Sequence, residues 1–424
     1  MSRTHAIKSP EEAIERLRTL PGGRELLAQA AKREDIALVG GAVRDLLLGH
    51  WPRELDVTVA GDSAGLASAI AASISPSERP YGHAVQPVLH ERFSTASVVW
   101  GYGRIDIAEL RAESYAAPGA LPEVRPAAGA QEDLVRRDFT VNALALPLAG
   151  GQRGRILAVD GALEDLAAGV LRILHEQSFR DDPTRILRLA RYAARLDFDV
   201  EPATRALATQ AIESGALKTV SGGRVGAELL LAAREADARA AMRMLDEMGV
   251  LAALGIQSPF DDDLAAAAEA LLPSDGARDA LLMAVTIHGA PRPTELIAGL
   301  ELPGELGTRV LAAVEGASGL ADEVEQSKSP AASFGVLDKR PLETVVLAGA
   351  LTTRREGAAA TAFRDWIDTA RHVRLQIDGN DLLRAGVPEG PDIGLRLDAA
   401  LRRKREGLTP DRDGELRAAL ETGL

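Results

Sequence analysis

Two acidic side chains, Glu54 and Asp56, follow a glycine turn at a spacing that could place them side by side. Residues 54–59 alternate between polar and apolar types, so a strand here would direct both carboxylates to one face and its apolar residues to the core. Carboxylate oxygens are the ligands that Mg²⁺ prefers in proteins. The pattern therefore predicts a divalent metal site, and the alternative is a solvated strand face.

The elements that must position these acids lie immediately upstream. Residues 36–39 are apolar and short enough for a buried strand, and Gly40-Gly41 allows the backbone to approach a ligand closely. A helix is predicted over residues 43–47, and Gly49 ends it. The N–H groups at the start of this helix point back to the glycines, which predicts an anion site there.

A third acid, Asp106, falls within a strand-like pattern over residues 104–108. Its apolar neighbours Ile105 and Ile107 would face the core, so Asp106 would face the opposite way. We predict that it is the third carboxylate of the site, and the alternative is a solvated acid on an edge strand. Residues 111–126 follow, rich in proline, glycine and alanine, and they are predicted to form a long loop.

Composition sets the broad class. The 424 residues predict two to four domains, and with 46% hydrophobic residues and no cysteine the chain is typical of a soluble protein without disulfides or thiolate metal sites. The first residues lack a signal-peptide core and no apolar run would span a membrane, so we expect a cytoplasmic location. The net charge of −13 disfavours RNA binding, but arginines cluster at Arg136-Arg137 and over residues 180–195, which could form a basic groove.

The segment from residue 38 to residue 62 resembles a known opening motif. It is similar to GGxVRDxLLG followed by D-x-D in the bacterial class II CCA-adding and poly(A) polymerase family of polymerase-beta-like nucleotidyltransferases, with Glu54 in place of the first Asp. The resemblance implies that Glu54 and Asp56 bind Mg²⁺, with Asp106 as a further catalytic acid. It also implies nucleotide binding at Gly40, Gly41 and Arg44.

A second stretch, residues 136–143, matches the RRDFTxNA motif of that family residue for residue. The resemblance implies that Arg137, Asp138 and Asn142 hold the triphosphate and ribose. The chemistry is reasonable, because guanidinium groups bind phosphate bidentately and a carboxamide can both donate and accept. The alternative is a helix start whose charges pair with one another on the surface.

A third stretch resembles the EDxxR motif of the family, with Asp181 in place of the Glu and with Asp182 and Arg185 matching. In that family, side chains of this motif replace a nucleic-acid template by accepting from the amino group of C or A and donating to ring acceptors. The alternative for Asp182 is a helix cap, which does not exclude base reading. The helical spacing places Arg185, Arg188, Arg191 and Arg195 in one stripe of cations, and we expect the first three to bind nucleotide.

Weaker resemblances follow. Residues 221–228 are similar to an ERxxxE motif with Gly223 in place of its first Glu, and Arg224 and Glu228 would pair on a helix or take part in a site. Residues 377–394 resemble the family's tail motif. The basic run at residues 402–405 suits an RNA backbone, although such runs are more often solvated. Residues 90–99 lack the basic signature of poly(A)-type relatives, which favours tRNA end synthesis.

Together these patterns predict an α+β head with a small mixed sheet, followed by an all-α neck, body and tail. The expected boundaries are 1–150, 151–255, 256–355 and 356–424. The resemblance implies a CTP(ATP):tRNA nucleotidyltransferase that uses CTP and ATP to add CCA to tRNA. The alternatives are an enzyme that adds only A or only CC, a poly(A) polymerase, or a noncatalytic RNA-binding protein with a degenerate site.

Overall fold

A computed structural model describes residues 5–75, 77, 83–90, 94–101, 103–327, 330–353 and 358–421. The chain divides after Ser221 into two compact units. Residues 91–93, which belong to the segment compared above with the basic signature of poly(A)-type relatives, lie outside the described residues, as does Tyr102. The four domain boundaries stay predictions, since a division into two units does not locate them.

A seven-stranded mixed sheet organises the first unit. Its strands are β1 (Ala37–Val39), β2 (Leu55–Val59), β3 (Val88–His90), β4 (Thr95–Trp100), β5 (Gly103–Glu109), β8 (Leu144–Pro147) and β9 (Leu157–Ala158). Their order is β3-β4-β5-β2-β1-β8-β9. Strands β2 and β5 run parallel, and the other neighbouring pairs are antiparallel. The parallel pair sets Asp56 directly beside Asp106.

Helices surround this sheet and continue beyond it to the end of the unit. They are α1 (Pro10–Thr19), α2 (Gly23–Ala30), α3 (Gly41–Leu47), α4 (Ser63–Ser73), α5 (Ala130–Val135), α6 (Ala162–Ala168), α7 (Ser178–Asp181), α8 (Thr184–Leu196) and α9 (Pro202–Glu213). Helix α3 is buried along most of its length because its apolar face packs against β1 and β8. The glycine turn is thereby held at the end of β1.

The segment predicted as a loop, residues 111–126, instead contains an antiparallel hairpin of β6 (Arg111–Ser114) and β7 (Glu123–Pro126). The prediction of a loop was wrong because Ala112 is buried while its neighbours are more exposed, a period-2 pattern too short to stand out in the sequence. At the tip, the N–H of Gly119 donates to the carbonyl of Arg180 at 3.1 Å. A side chain at position 119, where φ is +71°, would collide with Thr219.

The second unit consists of helices and, among its described residues, contains no strand. They are α10 (Gly222–Ala233), α11 (Ala238–Glu247), α12 (Val250–Ala253), α13 (Asp262–Leu271), α14 (Arg278–Ile287), α15 (Pro293–Gly299), α16 (Gly304–Glu325), α17 (Pro330–Leu337), α18 (Leu342–Thr353), α19 (Ala358–Asp368), α20 (Gly379–Arg384), α21 (Asp392–Arg405) and α22 (Arg412–Glu421). The last three share a small core around Leu382 and Ala400.

The predicted architecture, a mixed-sheet head followed by helices, is confirmed. One detail differs, because two short parallel strands, β10 (Val170–Leu171) and β11 (Asp199–Val200), lie inside the region predicted to be helical. Within the described part of the chain, none of the helices combines the length and the hydropathy required to span a membrane.

Candidate active site

The carboxylate cluster forms where β2 and β5 run side by side. Glu54 directly precedes β2, and the register of the two strands pairs Asp56 with Asp106. One oxygen from each of the three carboxylates lies within 4.8 Å of the other two. On the neighbouring strand β4, the hydroxyl of Ser97 donates to Oδ1 of Asp106 at 2.5 Å. The structure therefore brings together all three acids that the sequence singled out.

The glycine turn lies beside this cluster and is closed by an arginine. Gly40 has a φ of +66°, and a Cβ there would lie 2.7 Å from Nη1 of Arg137. Gly41 begins α3 and lies against the guanidinium of Arg44. A cavity of about 390 Å³ is lined by Arg137 together with Asp56 and Asp106. Carboxylates that could bind a cation and a guanidinium that could bind an anion therefore line the same cavity.

The surroundings of Asp56 disfavour its ionised form. Burial, together with the charges of Glu54 and Asp106, raises the pKa of Asp56 to about 7, although the charges of Arg137 and Arg104 oppose the shift. Bringing a cation to these oxygens would relieve the repulsion. Three hard oxygen ligands at this separation fit Mg²⁺, so the residues present suit the metal that the resemblance implies.

The raised pKa predicts how stability depends on pH without metal. Between the ordinary pKa of 3.8 and about 7, the folded protein holds a proton on Asp56 that the unfolded chain has released. The free energy of unfolding therefore falls as pH rises through this interval. Asp56→Asn removes the ionisation, so in EDTA we expect it to exceed wild type in stability by about 1–3 kcal/mol at pH 8, allowing for solvent screening, and by less at pH 5.

Urea unfolding of the full chain at the two pH values measures this difference. Asp160→Asn, an exposed acid of the same unit, serves as the matched control and should show no such pH dependence. Equal stability of wild type and Asp56→Asn at pH 8 would show that the ionised carboxylate of Asp56 does not destabilise the fold.

The second motif forms a buried network behind the cavity. Asp138 accepts from Nη2 of Arg188 at 2.6 Å and from Nδ2 of Asn142 at 3.0 Å. Asn142 in turn accepts from Nη1 of Arg44 at 2.5 Å. Burial alone would raise the pKa of Asp138, but the charge of Arg188 and these hydrogen bonds outweigh it and lower the pKa to about 2. The motif therefore joins α3, the sheet and α8.

Two further acids hold the arginines of this network, and neither was singled out in the sequence. Asp133 accepts from Nε of Arg136 at 2.9 Å and from Nη2 of Arg137 at 3.0 Å. Asp45 accepts from Nη2 of Arg44 at 2.7 Å and from Nη2 of Arg195 at 3.0 Å. Because the partners of Asp45 include a residue 150 positions away, its sequence neighbours gave little signal. These acids fix the direction in which the arginines point.

At the third motif, Asp182 lies at the start of α8. Its Oδ1 accepts from the backbone N–H of Thr184 at 3.1 Å and from the hydroxyl of Thr184 at 2.6 Å. Arg185 is buried, and it donates to Oγ of Ser178 at 2.6 Å and to the carbonyl of Arg136 at 2.8 Å. The cap role of Asp182 is present, and Arg185 links α8 to the second motif. Base reading by these two residues stays a prediction.

Two arginines of the predicted stripe, Arg188 and Arg191, lie against a tyrosine that the sequence did not single out, and Arg44 of α3 joins them. The guanidinium groups of Arg191, Arg44 and Arg188 lie 4.6, 5.4 and 5.7 Å from the centre of the Tyr192 ring. Tyr192 also packs edge-on against Phe139. Such cation–π contacts stabilise clustered arginines, which would otherwise repel one another.

The departure at Gly223 has a steric reason. A Cβ at this position would lie 2.6 Å from Oε2 of Glu301, and a Cβ at Gly222 would collide with the carbonyl of Gly299. The start of α10 thus lies against the chain that follows α15, and a side chain at 223 would require the side chain of Glu301 to move. Arg224 and Glu228 lie one turn apart on α10, as predicted.

The basic run in the tail is largely held by acids of the second unit. Lys404 donates to Glu415 at 2.5 Å, and Arg405 pairs with Asp338 at 2.7 Å. Arg403 pairs with Glu421 at 2.7 Å. Three of the four cations therefore brace the second unit, so the run offers less charge to an RNA backbone than its composition indicated.

A mixed sheet that presents three clustered carboxylates beside a glycine turn and an arginine defines a nucleotidyltransferase head, here followed by helices. The family model described as the poly(A) polymerase head domain matches residues 36–172. A CC-adding tRNA nucleotidyltransferase from Deinococcus radiodurans is 32% identical over 94% of this chain and 92% of its own length. The chain belongs to the CCA-adding tRNA nucleotidyltransferase and poly(A) polymerase family.

Other relatives share only part of their length with this chain. The A-adding tRNA nucleotidyltransferases of Aquifex aeolicus and Geobacter sulfurreducens are 41% and 30% identical over 47% and 90% of this chain, but over only 23% and 44% of their own lengths. The chain therefore spans less than half of these two relatives. Among solved structures, an apo CCA-adding enzyme has a TM-score of 0.77 at 26% identity, covering 99% of this chain and 100% of its own.

Proposed function

We propose that this protein is a CCA-adding tRNA nucleotidyltransferase that transfers CMP and AMP from CTP and ATP to the 3′ end of tRNA. The observation that carries the proposal is the cluster of Glu54, Asp56 and Asp106, of which Asp56 and Asp106 line one cavity with Arg137. Relatives support the substrate class: a Thermotoga maritima CCA-adding enzyme complexed with tRNA has a TM-score of 0.72 at 25% identity, covering 99% of each chain. Further similar structures are CCA-adding enzymes complexed with ATP and with CTP.

In this proposal Glu54, Asp56 and Asp106 hold Mg²⁺, which supplies the positive charge that activates the tRNA 3′-hydroxyl and neutralises the departing pyrophosphate. The 3′ oxygen would attack the α-phosphorus and transfer its proton to solvent water. The bond from that phosphorus to the β-phosphate oxygen breaks, and pyrophosphate leaves. The chain's own contribution is to hold the reacting groups in line within a partly enclosed cavity.

The triphosphate would lie against Arg137 and the glycine turn. Nη1 of Arg137 already lies close to Gly40, and Asp133 fixes the direction of its guanidinium. Arg44, Asp138, Asn142 and Arg188 act one layer deeper in this proposal, as the network that orients the arginines. Asp182, Arg185 and Arg191 would serve the nucleobase and ribose from α8.

The hairpin lies close to the base motif. By the resemblance, the segment between the metal strands and the RRDFTxNA motif holds a flexible loop, and here β6 and β7 form a complete hairpin whose tip contacts the carbonyl of Arg180, close to the base motif. The rival proposal is addition of A alone or CC alone, which the relatives named A-adding and CC-adding support.

Magnesium-dependent labelling of tRNA tests the function. Transcripts that end before CCA, after CC and after CCA would each be offered labelled CTP and ATP. Full CCA synthesis predicts CMP incorporation into the first, AMP into the second and none into the third. Addition to only one of the first two substrates would establish a partial activity, and labelling of none would support a noncatalytic RNA-binding protein.

The glutamate at position 54 predicts an asymmetric response to substitution. Glu54→Asp shortens the side chain by one methylene but keeps the carboxylate, so we expect it to retain substantial transfer activity. Glu54→Ala removes a metal ligand and should lose most of the activity, roughly 100-fold or more. Initial rates of CMP incorporation at saturating magnesium measure both, and equal rates for wild type and Glu54→Ala would remove Glu54 from the site.

A further inference from the structure

Arg104 places a positive charge inside the carboxylate cluster. It lies on β5 two residues before Asp106, so both side chains share one face of the strand. Its Nε lies 2.7 Å from Oδ2 of Asp106 and 3.5 Å from Oε2 of Glu54. The guanidinium therefore already neutralises two of the three acids that the metal site requires.

The two oxygens of Asp106 are both engaged by protein donors. Oδ1 accepts from Ser97 and Oδ2 accepts from Arg104. Ser97 has a short side chain fixed by the register of β4, whereas the side chain of Arg104 is 52% exposed and long enough to turn outward. A divalent cation bound at Oδ2 of Asp106 would lie against the positive charge of Arg104, and this repulsion favours displacement of the arginine.

Glu54 takes part in the same contact. With one methylene more than an aspartate, Glu54 brings Oε2 to 3.5 Å from Nε of Arg104. Asp56 completes the cluster, because one of its oxygens lies within 4.8 Å of an oxygen of each of the other two acids. Removal of Arg104 would leave three acids facing one another without that cation.

We propose that Arg104 is a positioning residue that serves as the resident cation of the carboxylate cluster and is exchanged for the divalent metal. Arg104 thereby sets the metal concentration that the site requires and keeps the acids in place when metal is scarce. The metal itself rests on the proposed function, whereas the contacts of Arg104 do not.

Direct metal binding tests the exchange. Mn²⁺ titration of the full chain, followed by loss of the free-ion electron paramagnetic resonance signal, needs neither nucleotide nor RNA. We expect Arg104→Gln to bind Mn²⁺ about 3- to 10-fold more tightly, because one partly exposed ion pair no longer has to break. Arg104→Lys keeps a cation and should lie between the two. Arg18→Gln removes a comparably exposed, paired arginine of the same unit and should match wild type.

The opposing outcomes are distinct. If Arg104→Gln binds Mn²⁺ with unchanged affinity but has a raised KM for CTP, Arg104 binds the triphosphate. If the variant binds Mn²⁺ more weakly, Arg104 supports the metal site. Either result overturns the proposal. If the Mn²⁺ affinities of wild type and the two variants follow the expected order but wild type transfers no nucleotide, only the proposed function fails.

A measurement on wild type keeps the test independent of how the variants fold. The Nε–H resonance of Arg104, assigned by its loss in Arg104→Lys, should shift during Mg²⁺ titration as the hydrogen bond to Asp106 breaks. The midpoint of that shift should equal the midpoint of metal binding. A resonance that stays in place while metal binds would overturn the exchange.

Discussion

Replacing Asp56 by alanine should abolish nucleotide transfer while RNA binding survives. Asp56 is the central acid of the cluster, since the register of β2 and β5 pairs it with Asp106 and Glu54 lies two residues before it. Under the proposed function, loss of this metal ligand removes several kcal/mol of transition-state stabilisation, so the rate should fall by about 10³-fold or more. CMP incorporation into tRNA that lacks CCA measures the rate, and gel retardation measures RNA binding.

The control for this prediction is Asp160→Ala, which removes an exposed carboxylate of the same unit and should leave the rate unchanged. Turnover within tenfold of wild type in Asp56→Ala would remove Asp56 from the mechanism. Loss of RNA binding together with activity would instead indicate that the head had lost its fold, which the melting curve of the variant would reveal.

Much of this site was predictable from local patterns. The alternation around Asp56 and around Asp106 fixed the face on which each acid lies, because strand side chains alternate. Their pairing across β2 and β5 depends on strand order and register, which local patterns do not specify. The motif at residues 136–143 located Arg137, but the depth at which Asp138 and Asn142 lie became apparent only from the packing of α8.

The residues that the sequence missed act over long separations. Asp45 pairs with Arg195, and the ring of Tyr192 contacts arginines of both α3 and α8. Both sets of contacts depend on how the helices pack. Arg104 was within reach of sequence reasoning, because a residue two positions before Asp106 shares its face. The close approach of Glu301 to Gly223 could not be expected from the sequence, because helices α11 to α15 lie between them along the chain.

The choice of nucleobase tests whether the residues at the start of α8 read the base. Asp182 and Arg185 lie together at the start of α8, where Asp182 caps the helix and Arg185 is buried against Ser178 and the carbonyl of Arg136. A purely structural role and a base-reading role both fit these contacts. They differ in what substitution does to preference among nucleotides, since a structural defect slows all four alike.

If the pair reads the base, Arg185→Ala should lose discrimination against UTP and GTP as well as rate. A site built to hydrogen-bond its substrate rejects mismatched partners strongly, because the wrong base leaves buried polar groups unpaired. We therefore expect the preference for CTP over UTP to fall by at least about 100-fold. Asp182→Asn keeps the cap, since Asn caps about as well as Asp, but it places a donor opposite the amino group of C or A and should markedly reduce their incorporation.

Single-nucleotide incorporation with each of the four nucleotides, on tRNA ending before CCA and after CC, separates the two roles. Arg205→Ala and Asp199→Asn, exposed residues of the same unit, are the matched controls and should retain both rate and preference. Because Arg185 is buried, its variant must first be shown to melt cooperatively, and Asp182→Asn provides the answer should that variant fail to fold. An unchanged order of nucleotide preference in folded Asp182→Asn and Arg185→Ala would assign this helix start a structural role and place base recognition on other residues of the cavity.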